Sequence, residues 1–199
     1  MMYDSALQIE ECEHVYPPRE DSLLLLECIE VRRGERVLEM GSATGIVSIH
    51  CAKAGAKVTA VDVNPYAVSC TRNNAERNAL EIETFHSDLF VDVPGKFDVM
   101  IINPPYLPVA EKGDIEASWA GGEDGTKVLE RFLIEAPAHL EKGGRIYVLM
   151  SSLMRASTVS CVLSQYRRER LGERKLFFEQ LWAERLTLPS SRAGARSPP

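Results

Sequence analysis

Arg36-Val37-Leu38-Glu39-Met40-Gly41-Ser42-Ala43-Thr44-Gly45, continued by Ile46 to Ala54 and Lys57 to Asp62, decides the fold. Arg36 to Met40 reads as a short strand and Gly41 to Gly45 as a loop. Ile46 to Ala54, with apolar Ile46, Val47, Ile49 and Cys51, reads as a helix that Gly55 stops. Lys57-Val58-Thr59-Ala60-Val61-Asp62 is then the next strand. Such a βαβ unit belongs to an α/β protein with a doubly wound, mostly parallel sheet, and its glycine turn meets the sheet's carboxyl edge. Asp62 lies about 20 residues beyond the turn, where a carboxylate binds ribose hydroxyls.

A nicotinamide-dinucleotide fold is the natural rival, yet Ala43 and Ile46 occupy the places of the second and third glycines of its G-x-G-x-x-G fingerprint. Glu39, just before the turn, would repel a pyrophosphate and suits a cationic ligand better. A ligand-free glycine turn is the plain alternative, and Asp62 at the right distance argues against it.

Further on, Phe97 to Ile102 reads as a buried strand that ends in Asn103-Pro104-Pro105-Tyr106. The prolines donate no ladder hydrogen bond, so Asn103 stands at a strand's carboxyl end, where open α/β sheets bind ligands. This tetrapeptide suits methylation of a planar, weakly nucleophilic nitrogen, a carboxamide or the exocyclic amine of a base. The Asn103 side-chain oxygen can accept one N–H and the Pro104 carbonyl the other, held by fixed proline φ angles, while Tyr106 stacks on the planar group. A plain Pro-Pro turn is the bland alternative.

Between these stretches, Asn64 caps a helix from Pro65 to Asn78, and Ile82 to His86 is a strand with Asp88-Leu89 beyond its end. Leu107 to Gly125 is a long loop carrying Trp119, of a composition that favours a substrate-side role. Thr126 to Leu140 reads as a helix with Pro137 near its end. Gly143-Gly144 turns into a strand from Arg145 to Met150, and Leu153 to Tyr166 is a further helix. Leu176-Phe177-Phe178 and Leu181-Trp182 fit either a strand pair or a helix. Leu188 to Pro199 has the composition of a disordered tail. At the other end, Val15-Tyr16-Pro17-Pro18-Arg19-Glu20-Asp21-Ser22 precedes Leu23 to Leu26 and Ile29, with Asp21 or Ser22 as helix cap. This stretch is either an ordinary connection or a loop that folds over a bound cofactor.

With 199 residues, 45% of them hydrophobic, the chain supports one domain with a substantial core. No apolar run approaches the roughly 18 residues of a membrane helix, and no secretory signal is visible. Five cysteines (Cys12, Cys28, Cys51, Cys70, Cys161) lack a C-x-x-C pair and read as small buried hydrophobes of a cytoplasmic protein. Four histidines (His14, His50, His86, His139) show no ligand spacing, so no metal site is expected. A net charge of −6 disfavours nucleic acid. The only dense basic stretch, Arg167-Arg168-Glu169-Arg170 with Glu173-Arg174-Lys175, reads as a self-paired surface.

Glu39-Met40-Gly41, Asp62, Asp88-Leu89 and Asn103-Pro104-Pro105-Tyr106, in this order, resemble the S-adenosylmethionine-dependent methyltransferases of the seven-stranded, Rossmann-like class I type. More narrowly they resemble the HemK family, which methylates the glutamine of the Gly-Gly-Gln motif in peptide release factors. Val15 to Ser22 is similar to that family's V-Y-x-P-x-E-D-T stretch. Trp119-Ala120-Gly121-Gly122-Glu123-Asp124-Gly125 is similar to the W-A-G-G-x-x-G loop of its short eukaryotic and archaeal branch. The likeness runs from about Val15 to Met150. It implies one methyltransferase domain over residues 1–188, of which 1–35 form the N-terminal segment and lid helix, with 189–199 as tail.

The resemblance also implies roles. Gly41 and its neighbours would pass the methionine part of the cofactor, Glu39 would face its ammonium group, and Asp62 would hold the ribose. Asp88 and Leu89 would frame the adenine, Tyr16 and Ser22 would help close the site, and Asn103, Pro104 and Tyr106 would bind the target amide. Ala43 stands where the family often has glycine, and Ser22 where it has threonine. The helical N-terminal domain of bacterial relatives is absent, as in the short branch. That branch implies a small zinc-binding activator subunit on the edge strand 82–86, and the family's final antiparallel strand pair would fall between Tyr166 and Leu188. An adenine methyltransferase acting on DNA or RNA, or a non-catalytic scaffold, are the competing functions; intact Asp62 and Asn103 argue against the scaffold.

Overall fold

The computed structural model describes residues 1–106 and 126–189. The expected loop from Leu107 to Gly125, with its Trp119 motif, and the tail from residue 190 lie outside the described residues. β1 (Arg36–Met40), β2 (Lys57–Asp62), β3 (Ile82–His86) and β4 (Phe97–Ile102) have the bounds read from the sequence. β1, β2 and β4 are covered on both faces, which only near-continuous apolar runs tolerate. β3 is half exposed, as befits an edge.

The remaining elements are α1 (Glu20–Cys28), α2 (Ile46–Lys53), α3 (Pro65–Arg77), α4 (Lys127–His139), β5 (Leu140–Ser151), α5 (Ala156–Leu163), β6 (Arg167–Lys175) and β7 (Gln180–Thr187). The seven strands form one sheet in the order β3-β2-β1-β4-β5-β7-β6. From β3 to β5 the pairing is parallel, and β7 runs antiparallel to both β5 and β6. The chain steps outward from β1 to β3 and then returns to β4 on the other side of β1. Strand order therefore reverses between β1 and β4, where Met40 and Ile102 are register partners and a crevice opens at their carboxyl ends.

Several local readings change. Asp21 and Ser22 do not cap α1: Arg19 is the N-cap, without a side-chain cap bond, and Asp21 turns inward instead. Gly143-Gly144 does not separate α4 from a strand, since β5 begins at Leu140 and runs through the pair. The left-handed Gly143 (φ +81) accompanies a slip in pairing with β4 between Phe97 and Val99. α5 is shorter than expected at both ends. The ambiguous C-terminal stretch is a hairpin closed by Leu176 N–H donating to the Glu179 carbonyl at 2.8 Å. Of its charged residues, Arg170 pairs within the basic stretch as expected, with Glu173 at 3.0 Å, whereas Arg168 pairs across to Glu184 at 2.7 Å, and Arg174 with Glu20 and Glu27 of α1.

The cysteines need correction. Cys12 and Cys70 form a disulfide, Cys161 is exposed and Cys28 half-buried, so only Cys51 fits the reading of a small buried hydrophobe. The disulfide pins an N-terminal strap along α3. Asn78 and Asn74 each hold the strap's backbone in both directions, Asn78 at Gln8 (2.8 and 2.8 Å) and Asn74 at Glu10 (3.0 and 2.9 Å). Farther on, Asn64 Nδ2 donates to the His14 carbonyl at 2.8 Å. Because side-chain amides carry both a donor and an acceptor, they replace the missing neighbour strand. Val15 is thereby buried against Ala67 and Cys70, and Tyr16 is delivered to the crevice.

Candidate active site

At the reversal point the crevice becomes a cavity of about 390 Å³, within the range of small-molecule sites. Its floor is the turn after β1. Gly41 (φ +79) lets the chain leave the strand sharply, and the N–H groups of Gly41 and Ser42 donate to the Val61 carbonyl at 2.8 and 3.1 Å. Ala43 also adopts a left-handed φ of +49, the conformation for which glycine is the usual choice. The turn is braced from α3: Thr71 Oγ1 lies 3.0 Å from Ser42 Oγ and donates to the Ala43 carbonyl at 3.1 Å.

Two buried carboxylates face this cavity. Glu39 accepts from Ser48 N–H at 2.9 Å and from the Ser48 hydroxyl, yet burial outweighs these bonds and pushes its carboxyl up to about 8. Asp62 accepts from Asn64 N–H at 2.8 Å and Ala43 N–H at 3.0 Å, and burial again raises it against those bonds. On the far wall Leu89 is buried with φ +52, while Asp88 turns its carboxylate to Arg131 of α4 at 3.1 Å. Arg131, a lining residue on a helix, gave no sign in the sequence.

Above the turn stand the residues expected to hold a target. Tyr106 is buried, and burial followed by the Asp21 carboxylate raises its hydroxyl. Asn103 Nδ2 donates to Asp21 Oδ2 at 3.0 Å, and the Tyr16 hydroxyl donates to the same oxygen at 3.0 Å. Asn103 Oδ1 is buried and has no hydrogen-bond partner among the described residues. All ten residues expected at the site, Tyr16, Ser22, Glu39, Gly41, Asp62, Asp88, Leu89, Asn103, Pro104 and Tyr106, line the one cavity. Asp21 was missed in this capacity. An acidic residue just ahead of an apolar helical run reads as a cap, and only its burial reveals another use.

The methyltransferase small domain family matches residues 20–170. A provisionally named protein N5-glutamine methyltransferase of Methanocaldococcus jannaschii is 49% identical over 144 residues, 70% of this chain and 73% of that protein. The methyltransferase HEMK2 of Mus musculus is 36% identical over 151 residues, 68% of this chain and 71% of its own. The chain belongs to the HemK family of class I methyltransferases. Among solved structures, the E. cuniculi Mtq2-Trm112 complex, responsible for methylating the eRF1 translation termination factor, superposes with a TM-score of 0.72 at 24% identity. The match covers 88% of this chain and 99% of that one. As a HemK-family enzyme the chain uses S-adenosylmethionine. The donor set fits that group: buried Glu39 and Asp62 call for a cation and for hydroxyl donors, and both look onto one cavity.

Proposed function

We propose that this chain methylates the side-chain nitrogen of a protein glutamine, the one in the Gly-Gly-Gln motif of a class-one release factor. The cofactor supplies an electrophilic methyl on a positively charged sulfur. Everything else is the task of the chain's own residues. Gly41 and its neighbours line the methionine part, Glu39 takes the ammonium group, Asp62 the ribose, and Asp88 with Leu89 the adenine. Tyr16 and Ser22 close the site over them.

The target carboxamide is planar and its lone pair is delocalised. Asn103 Oδ1 and the Pro104 carbonyl capture its two hydrogens, Tyr106 backs the plane, and the nitrogen is turned toward the methyl. The N–C bond would form as the S–CH3 bond breaks and the sulfur leaves as a neutral thioether. The amide nitrogen turns acidic as it gains the carbon and would release one proton to solvent, so no strong base is required and alignment is the main source of rate. One observation carries this reading: Asn103 Oδ1 is a buried acceptor without a partner among the described residues, at the strand end where ligands of such sheets bind. Relatives named for protein N5-glutamine and release factor glutamine methylation support it.

Protein partners follow from the same reading. We place a small zinc-binding activator subunit on β3, the half-exposed edge strand whose unpaired side can accept another sheet. No helix among the described residues is long and apolar enough to cross a membrane, and the reading assigns the chain to the cytoplasm, where release factors act. Arg168, Arg170, Arg174 and Arg185 of the hairpin are engaged by glutamates, which leaves little basic surface for an adenine-methylating role.

The deciding experiment is mass spectrometry of the release factor after incubation with the chain, its activator and labelled S-adenosylmethionine. One added methyl on the Gly-Gly-Gln peptide is expected, and label entering DNA or RNA instead would defeat the reading. Asn103→Ala should abolish turnover and leave cofactor affinity nearly unchanged.

A further inference from the structure

Asp21, 2% exposed, accepts hydrogen bonds on both of its carboxylate oxygens. Oδ2 accepts from the Tyr16 hydroxyl and from Asn103 Nδ2, each at 3.0 Å; Oδ1 accepts from Ser22 N–H at 2.7 Å and Ser22 Oγ at 3.2 Å. Asn103 is 82 positions away in sequence, so this meeting of lid helix and strand end is a tertiary arrangement. A side-chain amide has one end that donates and one that accepts, and the two ends have nearly the same shape. Something must decide which end faces the cavity. An ionised carboxylate accepts only, so the end of Asn103 that meets Asp21 has to be Nδ2. Its acceptor end, Oδ1, is then turned away from Asp21, and it is this atom that is buried without a partner among the described residues.

We propose that Asp21 is a positioning residue: it locks the Asn103 side chain in the one orientation that offers an acceptor, and not a donor, to the target amide. The inference rests on the function proposed above and adds the element that sets the clamp's polarity. With the amide reversed, Asn103 Oδ1 would press against the carboxylate, and Nδ2 would confront the N–H groups of the target. Both clashes are avoided by one charge at position 21. The same oxygen takes the Tyr16 hydroxyl, so the segment carrying Tyr16 helps to hold the Asp21 carboxylate against Asn103.

Asp21→Asn keeps the shape but gives position 21 a donor of its own, so either orientation of Asn103 finds a partner. Turnover should fall on the order of 10²-fold, in line with the loss of one preorganised hydrogen bond at a reacting centre. S-adenosylmethionine affinity by calorimetry should stay within about twofold, a split between turnover and binding that a merely structural role would not produce. The reciprocal pair D21N/N103D puts the acceptor-only group at 103 and the donor at 21. It should recover at least about tenfold over D21N, because the carboxylate at 103 can accept from both sides. N103D alone sets two carboxylates one hydrogen bond apart and should be inactive.

A readout independent of activity is the side-chain NH2 resonance of Asn103 in protein with 15N-labelled asparagine. In the wild type one of its protons should be shifted downfield and slow to exchange, and D21N should lose both signatures. Wild-type turnover in D21N, a swap no better than D21N, or an Asn103 NH2 that exchanges freely in the wild type would each overturn the proposal. Failure of the wild type to methylate the glutamine peptide, with the NMR signature intact, would instead strike the functional reading alone.

Discussion

Glu39 shows how a single buried group ties stability to ligand binding. Its carboxyl is pushed from 4.5 to about 8 by burial, the Ser48 bonds only partly opposing this, so the cofactor-free protein holds it protonated at neutral pH. Between those two values the unfolded chain has released a proton that the folded chain keeps. This group's contribution to stability is therefore complete below the ordinary carboxylate value and is lost as pH rises through about 8. The melting temperature of the cofactor-free protein should decline from pH 5.5 to 8.5, and Glu39→Gln should flatten the decline. Asp62 is raised too and tilts the curve the same way, which leaves a residual slope in the variant. With the cofactor's ammonium group placed beside Glu39 as proposed above, the ionised form is favoured, so binding at pH 7 should expel a proton. Calorimetry in two buffers of different ionisation enthalpy would register it, and Glu39→Gln should bind more weakly with no proton released.

At the scale of elements, α3 is a part that the site leans on heavily; the sequence disclosed the helix and its Asn64 cap but not the use of its asparagines. Asn74, 1% exposed, donates to the carbonyls of Glu10 (2.9 Å) and Thr44 (3.0 Å) and accepts from Glu10 N–H (3.0 Å), joining the strap to the glycine turn. Asn74→Ala strands these backbone groups and should cost about 2 kcal/mol. For a chain of this size that is a fall in melting temperature of roughly 4–8 °C. Asn78→Ala, nearer the surface, should cost less because water can replace the lost partner. The bounds of β1, β2 and β4 could be read directly, since buried parallel strands need apolar runs and glycine or proline cuts them off. The strap could not be read, because nothing periodic marks a segment whose backbone bonds go to side chains. A clue existed: Asn74 inside the helix runs against its propensities and asks for a use, four residues before Asn78 at the C-cap. β6 escaped for a related reason, as its Arg-Arg-Glu-Arg run is paired across the strand and to α1, while sequence spacing suggests only a solvated surface.

Across the whole molecule, the Cys12–Cys70 bond is the one covalent tie between the strap and the sheet-bound helices, and it closes a separation of 58 residues. Scattered cysteines could not announce it, because the pairing follows from how the strap lies on α3. Chain entropy gives a closed loop of that size about 4 kcal/mol, and native disulfides typically deliver 2–4 kcal/mol. Cys70→Ser, or reduction by a dithiol, should therefore lower the melting temperature by roughly 5–15 °C. Exposed Cys161→Ser is the control and should change nothing. The entropic account adds a sharper expectation. If the bond acts mainly on the unfolded chain, the folded pocket survives its loss, because Asn64, Asn74 and Asn78 still hold the strap. Cofactor affinity of Cys70→Ser at 25 °C should then equal that of the wild type although the protein melts earlier. A parallel loss of affinity would mean that the bond also holds Tyr16 at the cavity in the folded state, and measuring both quantities on one sample separates the two.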